Sequence, residues 1–228
     1  MVTADQSRRA LRLVTSAAVA ASSATLQRLN GPPEEQRAAL LDLVPGIVSH
    51  YSDGTSALAA DFYDDAREAA AAPRRFVAEP IVLDRTKKIL TSVAWASEPL
   101  FSGDLTTADS RLAEVVQFET ARPYRDTILG NRRRDPSAAG WRRISTGKCK
   151  FCRMLADRGA VYSDATARFA AHNHCTCSAE PVFYSQGAEV YGNEASVMQY
   201  LASRKKRTAR QRATLREYLN TNYPDFHG

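Results

Sequence analysis

From about residue 3 to about residue 130, apolar positions recur at helical spacing, and proline, glycine and capping residues mark the breaks. Leu11, Val14, Ala18, Ala21 and Leu29 suit one face of a first helix over about Thr3–Leu29, ending at Gly31-Pro32-Pro33. Pro33 with Glu34 and Glu35 is a helix start, because proline fits the first turn and acids meet its partial positive charge. The second helix carries Leu40, Leu41, Leu43 and Val44, and Pro45-Gly46 is expected to kink or end it, leaving a further turn over Ile47–Tyr51. Ser52-Asp53-Gly54 reads as a turn, with Thr55 or Ser56 capping a third helix to about Ala70. Its Leu58, Ala59, Phe62 and Tyr63 face inward. Asp61, Asp64, Asp65 and Glu68 lie largely opposite, as a solvated face would require, and so do not suggest a catalytic acid pair.

Asp84 is expected to cap a fourth helix holding Ile89, Leu90, Val93 and Trp95. Thr106 or Thr107 caps a fifth through about Ala121, and Pro123 bends the path before a last turn near Asn131. The pattern changes at Arg132, where Arg132–Gly140 reads as a basic, loop-like joint. Short β-prone pieces, Gly159–Tyr162 and Pro181–Tyr184, then surround a cysteine cluster. A last helical region begins near Asn193, with Val197, Tyr200, Leu201, Leu215, Tyr218 and Leu219. The expected fold is mainly α with a small α+β zinc-binding module. A helical domain occupies 1–131, a zinc-binding module with short strands 132–190, and a basic helical C-terminal region 191–228.

Charge sharpens this division. Residues 1–130 hold 14 Lys+Arg against 17 Asp+Glu, a net −3, whereas residues 131–228 hold 17 against 8, a net +9. The C-terminal part therefore has the better claim on an anionic partner. No stretch approaches the roughly 20 apolar residues that span a bilayer, so no membrane association is expected. Arg8-Arg9 before an alanine-rich stretch imitates a twin-arginine export signal. Arg12, Thr15 and Ser16 interrupt it, which favours a helix and synthesis in the cytoplasm.

All four cysteines fall within 29 residues, as Cys149-Lys-Phe-Cys152 and Cys175-Thr-Cys177. A Cys-x-x-Cys knuckle turns two thiolates toward one ion, and two cysteines two apart share one face of an extended segment. Zinc held by Cys149, Cys152, Cys175 and Cys177 is the expected arrangement, with His172 able to replace one thiolate. Four thiolates around Zn²⁺ carry a charge of roughly −2, by addition of ionised ligands. Lys148, Lys150 and Arg153 are expected to offset it. Two disulfides would need an oxidising compartment, and a redox site would need a thioredoxin-like context. A closed thiolate shell argues against catalytic zinc, which keeps an open position. The string His172-Asn173-His174 imitates a nuclease motif, but contiguous letters do not supply the ββα-metal geometry.

Gly140-Trp141-Arg142-Arg143, Cys149-Lys-Phe-Cys152 with Leu155 and Gly159–Tyr162, and His172-Asn-His174-Cys175-Thr-Cys177 through Phe183 together resemble the phage Mu F-like minor head proteins of actinobacterial phages and prophages. Tyr51 through Tyr63 and Arg122–Asn131 are similar as well, so the resemblance covers most of the chain.

It implies a minor capsid or head-morphogenesis protein in the virion. Such a protein would sit inside the head near the portal, contacting portal and capsid proteins and packaged double-stranded DNA. Some relatives carry an enzymatic domain after the zinc module, but only 51 residues follow Cys177 here. No enzyme activity and no small-molecule substrate are therefore expected. Phosphate contact is assigned to Arg204, Lys205, Lys206, Arg207, Arg210 and Arg212, with Arg216 nearby. A solvated face or tail reads these residues equally well. The alternative function is a zinc-containing, sequence-independent nucleic-acid-binding protein outside a virion.

Overall fold

The computed structural model describes residues 1–145, 150–159, 177–186 and 208–223. Among these, six α-helices and one two-stranded antiparallel sheet form a mainly helical fold. Helix α1 (Ala4–Arg28) opens with a capping box, in which Thr3 Oγ1 accepts from the Gln6 amide and the Gln6 side chain accepts from the Thr3 amide. Its buried stripe is Ser7, Leu11, Thr15, Ala18, Ser22 and Leu26. Thr15 and Ser22 donate to carbonyls of their own helix, so these small polar residues can face the core with their hydrogens placed.

Helix α2 (Pro33–Ala69) is continuous, which corrects the expected break at Pro45-Gly46 and the expected turn at Ser52-Asp53-Gly54. Proline inside a helix costs about 3 kcal/mol and glycine about 1. One buried face (Leu40, Val44, Val48, Ser52, Thr55, Ala59 and Tyr63) runs through both breakers, and its packing outweighs those local costs. Thr55 also donates to the Thr120 carbonyl at 2.8 Å, stitching α2 to α4 beside the expected turn.

Helix α3 (Thr86–Ala96) and a 3₁₀ turn (Glu98–Ser102) lead to α4 (Leu105–Arg134). The Asp84 carboxylate accepts from the Thr86 amide, although Arg85 occupies the cap position. Asp104, not Thr106 or Thr107, caps α4 by accepting from the Thr107 amide. Helix α4 also runs unbroken through Pro123, and its last turn is Arg132–Arg134, so the expected nine-residue joint shrinks to Asp135–Ser137. Contacts of Ser7 with Tyr124 and Ser23 with Asp109 make α1 antiparallel to α4. Contacts of Thr55 with Thr120 and Tyr63 with Asp135 make α2 parallel to α4.

Two apolar clusters fill this three-helix body. One joins Leu26, Leu40, Val44, Val93, Leu112 and Val116, and the other joins Tyr63, Tyr124 and Ile128 to the sheet. Between α2 and α3 the chain runs extended along α4. Asn131 accepts from the Glu79 amide and donates to the Glu79 carbonyl, and Thr127 pairs with Ile81 in the same way. Gly130 lets this strap approach, because a Cβ there would collide with the end of the Ile81 side chain.

Strands β1 (Ala138–Ile144) and β2 (Ser178–Phe183) pair antiparallel, with Trp141 opposite Pro181 and Ile144 opposite Ser178. Trp141, Ala179 and Phe183 are fully buried against the body, and the Phe183 ring meets Tyr63 edge-on at 5.7 Å. Pro181–Phe183 are thus in a strand as expected, while Tyr184 opens a short 3₁₀ turn. Gly159 follows α5 with φ +67, and residues 160–162 of the other expected strand lie outside the described residues, as does Asn193.

Candidate metal centre

Cys152 sits in the first turn of α5 (Lys150–Asp157), and Cys177 stands one residue before β2. Both are buried, at 1% and 2% exposure. The ladder fixes where the chain on either side of the cysteine segment leaves the sheet. Because Ile144 pairs with Ser178, the chain leaving β1 toward α5 and the chain entering β2 through Cys177 lie at the same end of the sheet. Cys152 and Cys177 are buried thiols, the soft donor type that zinc takes. Cys149, His172 and Cys175 lie outside the described residues. Among the described residues, no group of three or more His, Cys, Asp or Glu is arranged to hold a metal.

Helix α4 reaches this site. Arg125, 4% exposed, donates from Nε and Nη2 to the Cys177 carbonyl at 3.2 and 3.1 Å. Arg143, also buried, stands opposite Ala179, two residues past Cys177. Of the expected charge partners, Lys148 lies outside the described residues, and the other two make contacts with the C-terminal helix region. Lys150 Nζ donates to the Asn220 side chain at 2.9 Å, and the Arg153 guanidinium lies 5.4 Å from the centre of the Tyr223 ring. Both contacts tie α5 to α6 (Ala209–Asn222), alongside a small apolar cluster of Met154, Leu155, Leu215 and Tyr223. Burial in that cluster, with Asp157 close by, pushes the Tyr223 hydroxyl pKa up.

Of the phosphate-contact candidates, Arg210 and Arg212 lie exposed on the first turns of α6, as does Arg216 one turn on. Arg204, Lys205, Lys206 and Arg207 lie outside the described residues. Glu180 is held by a two-pronged ion pair with Arg142, at 2.7 and 2.9 Å. Asp64 and Asp65 of the acidic face are engaged as well, accepting from the Ala78 and Val2 amides.

The family described as VG15 protein matches residues 2–203, spanning the helical body, the sheet and the cysteine segment. The chain belongs to the VG15 family. Membership suggests a phage-encoded protein and does not single out the Mu F-like minor head proteins. No curated protein and no solved structure matches the chain. Among the described residues of this VG15 member, no helix is long and apolar enough to cross a membrane.

Residue type alone does not point to Arg125, since arginine is ordinarily a surface residue. Periodicity is the signal that could have found it. It lies beside Tyr124 and three residues before Ile128, on the inner side of α4.

Proposed function

We propose that this VG15 family member is a minor capsid or head-morphogenesis protein of a tailed phage or prophage, of the Mu F-like type. In this reading it lies inside the head near the portal vertex, binds portal and capsid proteins, and has a structural role without turnover. Its cysteine segment closes around one zinc ion held by Cys149, Cys152, Cys175 and Cys177, with His172 in reserve. The observation that supports the reading is the VG15 match over residues 2–203, which suggests a phage-encoded protein and takes in the cysteine segment. Mass spectrometry of intact heads, with elemental analysis of the purified protein, tests it. The protein is expected in DNA-filled heads and to hold one equivalent of zinc. Absence from purified heads would overturn the viral role, and absence of metal would overturn the zinc centre.

The exposed Arg210, Arg212 and Arg216 also suit a zinc-containing protein that binds nucleic acid outside a virion. Without aromatic residues interleaved among them, either reading makes binding sequence-independent and salt-sensitive. Replacing Arg204, Lys205, Lys206 and Arg207 with Ala is expected to weaken duplex binding and flatten its salt dependence, by about 0.9 in log–log slope for each phosphate that is no longer neutralised. Equal slopes for both proteins would clear the run of a phosphate-binding role.

A further inference from the structure

We propose that Arg125 is a positioning residue for the zinc centre, and that through it metal binding and the stability of the helical body become one linked equilibrium. This rests on the zinc reading above. Its backbone is fixed by the body: the neighbouring Tyr124 hydroxyl pairs with Ser7 at 2.8 Å, and Ile128 is fully buried. From that anchored position two donors of one planar guanidinium meet a single oxygen, the Cys177 carbonyl.

The carbonyl belongs to the same residue as the sulfur. Fixing the peptide plane after Cys177 fixes the position of its Cα and the axis about which the Cα–Cβ bond, and so the thiolate, can turn. On the other side the same peptide leads into the ladder at Ser178, which faces Ile144. Cys177 is therefore held between α4 and β1 by contacts that do not use its sulfur, and such outer contacts raise metal affinity by lowering the ordering cost.

Charge acts in the same direction. Arg125 brings a buried positive charge to the Cys177 backbone. A buried guanidinium near the Cys177 backbone attracts, through space, the negative charge that a shell of thiolates around zinc would carry. By linkage, whatever Arg125 gives to zinc affinity, zinc returns to the packing of α4.

The test uses the full chain. Zinc affinity is measured by competition with a chromogenic chelator, and site geometry by the thiolate-to-metal absorption of the Co²⁺-loaded protein. Arg125→Gln keeps a hydrogen-bond donor but loses the charge, and Arg125→Lys keeps the charge but loses the fork. Arg142→Gln, which removes only the ion pair to Glu180 across the ladder, is the control. We expect Arg125→Gln to weaken zinc binding about 10–100-fold and to alter the Co²⁺ spectrum. Arg125→Lys should fall between it and wild type, and Arg142→Gln should match wild type. Equal zinc affinity in Arg125→Gln and wild type, even with a lower Tm, would overturn the proposal and leave Arg125 a packing residue.

If Arg125→Gln does not fold, hydrogen exchange of the wild type decides. Amides of residues 124–131 should exchange faster after zinc is chelated, and unchanged exchange overturns the coupling. A wild-type protein that holds no zinc would instead overturn the metal reading itself, and this inference with it.

Discussion

The helical body buries Tyr63, Tyr124, Trp141 and Phe183 in one cluster and lines a second with Leu26, Leu40, Val44 and Leu112, whereas α5 and α6 meet over Met154, Leu155, Leu215 and Tyr223. Burying a large apolar side chain is worth about 1.5–3 kcal/mol. Ordering each residue costs about 1–2 kcal/mol in backbone entropy alone. The body has enough such side chains to offset that cost over its long helices. Among the described residues the α5–α6 pair has a handful, and a core of that size ordinarily needs a cross-link or a metal. On the zinc reading, the cysteines beside this pair supply that tie.

Cys152→Ser should break the comparison most visibly. The variant is expected to lose tightly held zinc and to expose Lys150–Gly159 to protease, while the far-UV signal of the body persists. A full equivalent of metal and an unchanged Tm would mean that the module stands without that sulfur. Trp141→Ala attacks the joint between the two regions, because Trp141 lies on β1 yet is buried in the body. Denaturant unfolding should show a loss of about 3–5 kcal/mol. A loss below about 1 kcal/mol would mean the sheet is only loosely attached.

Gly130→Ala probes the strap. Alanine gains about 1 kcal/mol in helix propensity, and crowding the Ile81 side chain costs about 1–3 kcal/mol. A small net destabilisation is expected, and Ile81→Val should relieve it by removing the methyl group that the new Cβ meets. Additive effects in the double-mutant cycle would show that the two positions do not touch. Asp104→Ala should give the smallest effect, a lowered Tm from the loss of the α4 cap. Hydrogen bonds from the Thr107 side chain and backbone hold the Asp104 carboxyl below its ordinary value of 3.8. Because the folded-state value is depressed, the cap contributes fully above 3.8 and is lost as the pH falls below it. The Tm gap between variant and wild type should therefore close at the acid end, and a constant gap would mean that charge plays no part.

Much of this architecture is legible in the residues. Pro33-Glu34-Glu35 marks the start of α2, and Phe62 and Tyr63 mark a core that the structure fills. Pro45 and Ser52-Asp53-Gly54 mislead as breaks because local propensity is a weak term beside a buried face running through both. The polar members of the α1 stripe, Ser7, Thr15 and Ser22, are hidden for a related reason. Their hydroxyls find partners within the helix or at Tyr124, so type alone does not expose them. Cys152 and Cys177 are legible as candidates from spacing. The role of Arg125 is not, because the Cys177 carbonyl it meets lies 52 residues away and a backbone oxygen leaves no signature in the sequence.

Thr127 and Asn131, one helical turn apart on α4, offer hydroxyl and amide groups to alternate residues of the strap much as a neighbouring strand would. The two spacings match closely, since four helical residues rise about 6.0 Å and two extended residues about 6.6 Å. A segment that looks like an ordinary linker is thereby measured to length. Evolution could vary its outward side chains freely, yet one residue added or deleted between Glu79 and Ile81 would leave the α4 groups facing the wrong peptides.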